Sequence, residues 1–458
     1  MRLSLPAVFL LLSLGTAAGQ QPMTLEQAIR MAVASNPRIG EAAANRRAVD
    51  QELRQVQGGL LPQVRVQAEY GNERSRRAIA SAAAGANEWR KAGGEAGIIV
   101  NQLLFDGFAT LNQIYRQMAR SDAAAWRTFE RAELVALDTA EAFLDIQRFT
   151  ASASLAAENV AVHERLAHTI SQRFSGGRAG MGDQEQVNER LSAARAVLAE
   201  FRIRLEEARA AFRKSVGIAP GNLAGPLRLS GLPATRQKAF DLTIAANPTL
   251  LAATSDVTAA ERDYDATTGL FLPRVGLEGR AVSGRDSSQT RGRFDETSVK
   301  LRADWLLFSG GTDTARRTEL GERVAESRSR VDSLRRAAFE SIDRAWGVRQ
   351  FSGARIASLQ GQVRAAQAVV TAYRGEYELG QRSLLDLLNA ENAHFNARLS
   401  LEAARNVAVF ADYQLLATTG QLLARLNIAQ PRDASPTSKD ARSVFPTSFG
   451  NPFKGALH

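Results

Sequence analysis

The chain repeats itself. Asn36-Pro37 recurs as Asn247-Pro248, and Leu60-Leu61-Pro62 recurs as Phe271-Leu272-Pro273, both at an offset of 211 residues. Leu103-Leu104-Phe105-Asp106-Gly107 recurs as Leu306-Leu307-Phe308-Ser309-Gly310 at an offset of 203. Phe174-x-x-Gly177 with Asp183 recurs as Tyr377-x-x-Gly380 with Asp386, and Val216-Gly217 recurs as Thr419-Gly420, again at 203. A unit of about 200 residues is duplicated in tandem, so the fold must place two copies of one supersecondary unit side by side. The offset changes only between the Leu-Pro and Leu-Leu-Phe marks, which confines the length difference to one tolerant loop.

Composition narrows the unit. Aromatic residues make up 7% of the 458 residues and charged residues 23%. Ala, Arg, Glu, Gln and Leu dominate, as they do in long helices. Cysteine is absent, which excludes disulfides, thiolate metal sites, Cys nucleophiles and a lipidated N-terminal Cys. Met1-Arg2, the apolar run Leu3 to Leu14 and the small residues Thr16 to Gly19 read as a signal peptide over residues 1–19. No other run approaches 18 apolar residues, so a mature chain that crosses a membrane must do so as a β-barrel. The net charge is +10, but Lys and Arg are interspersed with Glu and Asp. Without a basic block, nucleic acid is not an expected partner.

Along the chain, Thr24-Leu-Glu-Gln27 reads as a capping box opening a helix that ends at Asn36-Pro37. A second helix runs from about Arg38 to Gly58. The period then changes to two: Val64, Val66, Ala68 and Tyr70 alternate with Arg65, Gln67 and Glu69. Ser75 to Ala92 reads as a loop and Gly93 to Phe105 as a second strand. Asp106-Gly107 switches the chain into a helix free of Pro and Gly as far as Phe174, about 100 Å long at 1.5 Å per residue. Glycines at 176, 177, 180 and 182 break it, and a helix from Asp183 to Val216 returns antiparallel. Residues 218–234 form a linker. The pattern then restarts: Val275, Leu277, Gly279 and Ala281 alternate with Glu278 and Arg280, and Val299, Leu301, Ala303 and Trp305 with Lys300, Arg302 and Asp304. Ser309-Gly310 is the second strand-to-helix switch. The repeats therefore span residues 20–217 and 235–428, and the aperiodic residues 429–458 read as a disordered tail.

The fold class is mostly α with a small β part. Each unit is a pair of short helices, an amphipathic β-hairpin and a very long helical hairpin. Strands of about 10 residues suit a tilted bilayer crossing. Four strands cannot close a barrel, so spanning hairpins require several chains to share one.

The duplication, the Leu-Pro before each first strand, and Phe-Asp-Gly and Phe-Ser-Gly-Gly after each second strand resemble the TolC-like outer-membrane channel family. The stretch Tyr377-Glu-Leu-Gly380-Gln-Arg382-Ser-Leu-Leu-Asp386-Leu-Leu-Asn389 is most similar to members serving type I secretion. The resemblance covers Met23 to Ile428. It implies a homotrimer with a shared twelve-stranded barrel in the outer membrane, continued by an α-helical barrel across the periplasm. It also implies a periplasmic adaptor protein and an inner-membrane ABC transporter as partners. The loops around Ser75–Ala92 and Gly284–Glu296 would face outside, and the tips near Gly177 and Gly380 would form the periplasmic entrance. There the resemblance implies a gate in which Asp183 bonds Tyr377 and Arg382 ties the tip to a neighbouring chain. An acidic ring in the lumen falls on Asp386 and Asn389, the second an amide here.

No catalytic constellation, cofactor site or metal site is legible. His163 and His168 do not share a helix face well, and His394 and His458 are isolated. Gly310-Gly311 follows a strand but lacks the Lys-Ser/Thr of a phosphate loop. The expected function is a passive exit duct for type I protein secretion. A drug-efflux duct is the alternative within transport, and a secreted coiled-coil structural protein is the alternative of another class.

Overall fold

The computed structural model describes residues 22–77, 87–225, 229–287, 292–437 and 444. The expected signal peptide and the last twenty or so residues lie largely outside that range. Helices α1 (Leu25–Ser35) and α2 (Pro37–Gln57) precede strands β1 (Gln63–Arg77) and β2 (Asn87–Phe105). The long helix α3 (Ala109–Ser175) and its return α4 (Met181–Val216) complete the first repeat. The second repeat has α5 (Arg236–Ala246), α6 (Pro248–Ala266), β3 (Arg274–Arg285), β4 (Arg293–Asp304), α7 (Thr312–Glu378) and α8 (Leu384–Thr418). A four-residue helix α9 (Leu422–Arg425) follows. Helices α3 and α7 are each 67 residues long.

The Asn-Pro pairs have a structural job that is the same in both repeats. Asn36 caps α2 by accepting from the Arg38 amide at 3.0 Å, and its own amide donates to the Ser215 carbonyl at 2.8 Å. Asn247 caps α6 from the Leu250 amide at 3.0 Å and donates to the Thr418 carbonyl at 2.7 Å. Pro at the first helical position sacrifices no hydrogen bond there. Each Asn thus fastens the short helices to the end of the return helix of its own repeat. The capping box at Thr24 and Gln27 forms with both bonds present.

The strands make one antiparallel sheet in the order β1-β2-β3-β4. Register puts Val64, Val66, Ala68 and Tyr70 on the same face as Ile98, Val100, Leu277 and Leu301. The opposite face carries Arg65, Glu69, Glu95, Glu278, Arg280, Lys300 and Arg302. Arg280 pairs with Glu95 at 3.3 Å and Arg302 with Glu278 at 3.3 Å. The apolar face is exposed in the single chain, and β1 and β4 each have one unpaired edge.

Two expectations change. Strands β1 and β2 are 15 and 19 residues long, so the segment read as a loop from Ser75 to Ala92 is largely paired strand, with Ser75 opposite Trp89 and Asn72 opposite Ala92. The apolar alternation stops earlier than the ladder because backbone pairing continues without it. Residues 78–86 lie outside the described residues. The expected disordered tail is also wrong for residues 429–437. Ile428 and Ala434 are buried, Arg47 bonds Asp433 at 2.9 Å, and Arg46 bonds Thr437 at 3.2 Å. Sparse apolar anchors and ion pairs hold this strap, so it has no periodicity to read.

The main core lies midway along the helices, where Leu25, Ile29, Phe143, Phe212, Tyr413 and Leu422 come together. The linker joins it through a parallel bridge between Met23 and Leu223. Glu133 of α3 is buried in this core, 2% exposed. Its carboxyl oxygens accept from the Leu422 and Leu423 amides at 3.1 and 3.2 Å, which fixes α9 against α3. Burial outweighs these bonds and pushes its pKa up to about 8.

The folded protein therefore holds the Glu133 proton more tightly than the unfolded chain does. The associated stabilisation is complete below about pH 4.5 and is lost as pH rises through about 8. The melting temperature in mild detergent is expected to fall from pH 5 to pH 9. Glu133→Gln, which cannot ionise, is expected to flatten that slope even though it gives up one of two acceptors. An unchanged slope in the variant would remove Glu133 from the account.

Candidate gate at the hairpin tips

Both long helices end in the same turn. Gly177 and Gly380 have φ of +70° and +75°, a region that costs a residue with a Cβ about 1–2 kcal/mol. The Arg178 amide donates to the Arg173 carbonyl at 2.7 Å and the Gly177 amide to Phe174 at 2.9 Å. At the second tip Gln381 donates to Glu376 at 2.8 Å and Gly380 to Tyr377 at 3.1 Å. These paired bonds are the glycine-terminated helix stop, made twice.

Asp183 and Asp386 then occupy the same position, the first turn of a return helix, where a carboxylate meets the positive end of the helix dipole. Ser383 caps α8 by accepting from the Asp386 amide at 3.1 Å, and its hydroxyl donates to the Asp386 carboxylate at 2.7 Å. Gly180 caps α4 without a side chain. Among the described residues, Asp183 makes no ion pair. Asn389 is exposed one turn beyond Asp386, on the same helix face.

The expected bond between Asp183 and Tyr377 is not formed within the chain. The Tyr377 ring packs instead against the apolar cluster of Ile170, Val187, Leu384 and Leu388, and the Arg173 guanidinium lies 4.8 Å from its centroid. A cation over a ring face is attractive, and here it ties the first hairpin to the second. Arg382 is likewise turned to its own chain. It donates to Glu376 at 2.8 Å and lies 4.3 Å from the Tyr373 ring centroid. The local acid across the tip turn satisfies Arg382 first.

Above the tip is a polar layer that the sequence reading missed. Glu391 of α8 is 5% exposed and pairs with Arg374 of α7 at 2.6 Å. His163 of α3 is buried nearby, with no hydrogen bond to Nδ1. Burial holds its pKa below the ordinary value, partly offset by Glu391. The usable signal was a lone Glu flanked by Leu387, Leu388, Ala390 and Phe395.

The strand-to-helix switches sit at the other end of the long helices. The Asp106 carboxylate accepts from the Thr110 amide at 2.9 Å and from its hydroxyl at 2.6 Å, while Ser309 accepts from the Asp313 amide at 3.3 Å. Two successive left-handed residues follow in each case: Gly107 and Phe108, then Gly310 and Gly311. Phe108 accepts that backbone with a bulky side chain, its ring edge-on to Phe105 at 5.5 Å. Among the described residues no cluster of His, Cys, Asp or Glu could hold a metal ion.

The family described as Outer membrane efflux protein matches residues 28–218 and 239–421, which are the two repeats. The chain is 26% identical over 427 residues to the outer membrane efflux protein BepC of Brucella suis, covering 92% of this chain and 91% of that protein. It is 30% identical over 176 residues to the alkaline protease secretion protein AprF of Pseudomonas aeruginosa, 38% of this chain and 36% of that one. The fold is shared with the outer membrane protein VceC of Vibrio cholerae, with a TM-score of 0.75 at 17% identity over 86% of this chain and 96% of that chain. The chain belongs to the outer membrane efflux protein family, the TolC-like, non-enzymatic channels of the bacterial outer membrane that extend into the periplasm.

Proposed function

We propose that three copies of this chain close a twelve-stranded barrel and a helical tunnel, forming a passive exit duct for polypeptides in type I secretion. The carrying observation is what the single chain leaves unfinished on one side. Its sheet is amphipathic with two open edges, and α7 buries only Leu320, Val324, Ile342, Ala345 and Val370 while α3, of equal length, buries a continuous stripe. An inner-membrane ABC transporter and a periplasmic adaptor would deliver cargo to the tips. The polar face of the sheet suits a non-selective duct. Arg274 stands opposite Asp304, Glu278 opposite Lys300, and two further pairs are bonded, so much of its charge is compensated locally, the Glu69–Glu95 pair being the exception.

Small-molecule efflux is the second reading, favoured by the full-length likeness to BepC. Deleting the gene separates the two. Loss of a secreted protein with unchanged drug susceptibility supports secretion; the reverse supports efflux.

The apolar face of the sheet would contact lipid. Val299→Arg or Leu301→Arg is expected to impair assembly by about 2–4 kcal/mol near the bilayer midplane, and Ser298→Glu on the opposite face, across from Arg280, is expected to be tolerated. Equal tolerance on both faces, read from folded yield, would invalidate the assignment.

The tip residues Asp183, Tyr377 and Arg382 would gate the entrance, with Arg173 holding Tyr377 and Asp183 reaching a neighbouring copy. Asp386 and Asn389 would line the mouth. Arg173→Ala with Arg382→Ser removes the cation–π contacts on Tyr377 and Tyr373 and the exposed Arg382–Glu376 ion pair. Loss of the Arg173–Tyr377 contact, which ties the first hairpin to the second, shifts the population toward open tips. Higher single-channel conductance of the double variant in planar bilayers is expected, and Asp386→Asn should weaken block by divalent cations. Unchanged conductance in the double variant would place the constriction elsewhere.

A further inference from the structure

The two helical hairpins touch along a seam that runs down to the tips, and two apolar clusters close it. Next to the tip, Ile170 of α3 and Val187 of α4 pack against Leu384 and Leu388 of α8. Farther from the tip, Leu155 and Ala156 of α3 pack against Phe395 of α8. His163 and Glu391 fall between the two clusters, on α3 and α8 respectively, and both are buried, 3% and 5% exposed. A titratable ring and a carboxylate thus interrupt the apolar contact that holds the second hairpin to the first.

Charged groups from all four helices stand at this level. Arg374 of α7 pairs with Glu391 at 2.6 Å. From α4, Arg190 and Glu189 act on the His163 ring with opposite signs and pair with each other at 3.4 Å. His394, three residues beyond Glu391, feels that carboxylate and Arg398, and Arg398 pairs with Glu158 of α3 at 2.7 Å. Each of these acids therefore already has an arginine. Nδ1 of His163 has no hydrogen-bond partner. An imidazolium would make both ring nitrogens donors, one of them buried without an acceptor, which is costly. The layer is built for the neutral ring. Burial accordingly holds the His163 pKa below the ordinary value, although Glu391 pulls the other way.

We propose that this layer is an acid-released latch: a proton taken up by His163 loosens the seam between the two hairpins and lets the tips part, an effect on flow that rests on the tip gate described above. When the seam parts, water reaches the ring and its ordinary pKa of about 6.5 returns. The parted form then binds the proton more readily than the closed form. Its population therefore grows as pH falls through about 6.5, and the growth levels off below the lowered pKa of the closed form. Tyr377 belongs to the tipward cluster, so a looser seam reaches the tip turn directly. His168 is exposed on the same helix, outside the seam, and takes no part.

The chain has no cysteine, so one introduced thiol reports the seam. Val187→Cys places it in the tipward cluster, where Val187 is fully buried, and Ser192→Cys places one at an exposed position of the same helix. Both are labelled with a methanethiosulfonate reagent in the assembled full-length protein in mild detergent. The ratio of the two rates removes the pH dependence common to thiols. Between about pH 7.5 and about pH 5.5 that ratio is expected to rise several-fold. The rise is expected to be lost with His163→Gln, which cannot ionise, and kept with His168→Gln. His163→Asn serves in place of His163→Gln if the latter does not assemble. Single-channel conductance in planar bilayers is expected to follow the same pattern. A ratio that stays flat with acid, or that rises equally without His163, would overturn the latch. The expected ratio with an unchanged conductance would uphold the latch and overturn the tip gate.

Discussion

A β-sheet with two open edges and an apolar face is not a finished structure. In a bilayer each unpaired backbone amide or carbonyl costs several kcal/mol, and no water is there to relieve it. Strands β1 and β4 carry such edges, and the sheet between them is only four strands wide. Everything else in the chain is arranged around this. The duplicated unit supplies two hairpins in one sheet, the long helices leave the same end of that sheet, and the side of α7 that the chain does not cover lies in the repeat that ends at the open edge of β4. Closure by further copies would satisfy the backbone edges and the helix face together and leave the apolar face to lipid.

Duplication leaves the two repeats alike in their caps and turns but not in their core. The two Asn-Pro caps, the two glycine stops and the two switches are nearly superimposable in chemistry. The core is not. Helix α1 buries Leu25, Ile29 and Val33, whereas α5, its counterpart, buries only Ala239 and Thr243. The first repeat receives α9 and the strap of residues 426–437 across its helices, fixed by Glu133, Arg46 and Arg47. Gene duplication gives two equal units, and α9 with the strap that follows it, packed on the first repeat alone, makes them unequal.

Much of this was legible in the sequence because it is periodic. Helix lengths, hairpins, caps and the strand-to-helix switches follow from local rules about Gly, Pro, Asn and alternation, and the glycine stops at 177 and 380 fall where those rules put them. The tip partners were not legible. Arg382 had a choice of acids, and a sequence cannot show that Glu376, six residues back across the turn, is the nearest. Tyr377 was expected to bond Asp183 and is instead covered by Arg173, because its ring is needed in the apolar cluster below the turn. Glu133 and Glu391 each sit within an apolar stretch, a pattern that flags burial but not what they bind. The strap has no period at all, and Phe108 takes a backbone that its repeat partner reserves for glycine.

The most direct test is hydrogen exchange of the strand amides in the assembled protein in lipid or mild detergent. If neighbouring copies pair the open edges, amides of β1 and β4 are expected to be protected as strongly as those of β2 and β3. Exchange in β1 and β4 that is orders of magnitude faster than in the inner strands would contradict the account, since it would show a sheet that remains open in the membrane-ready protein.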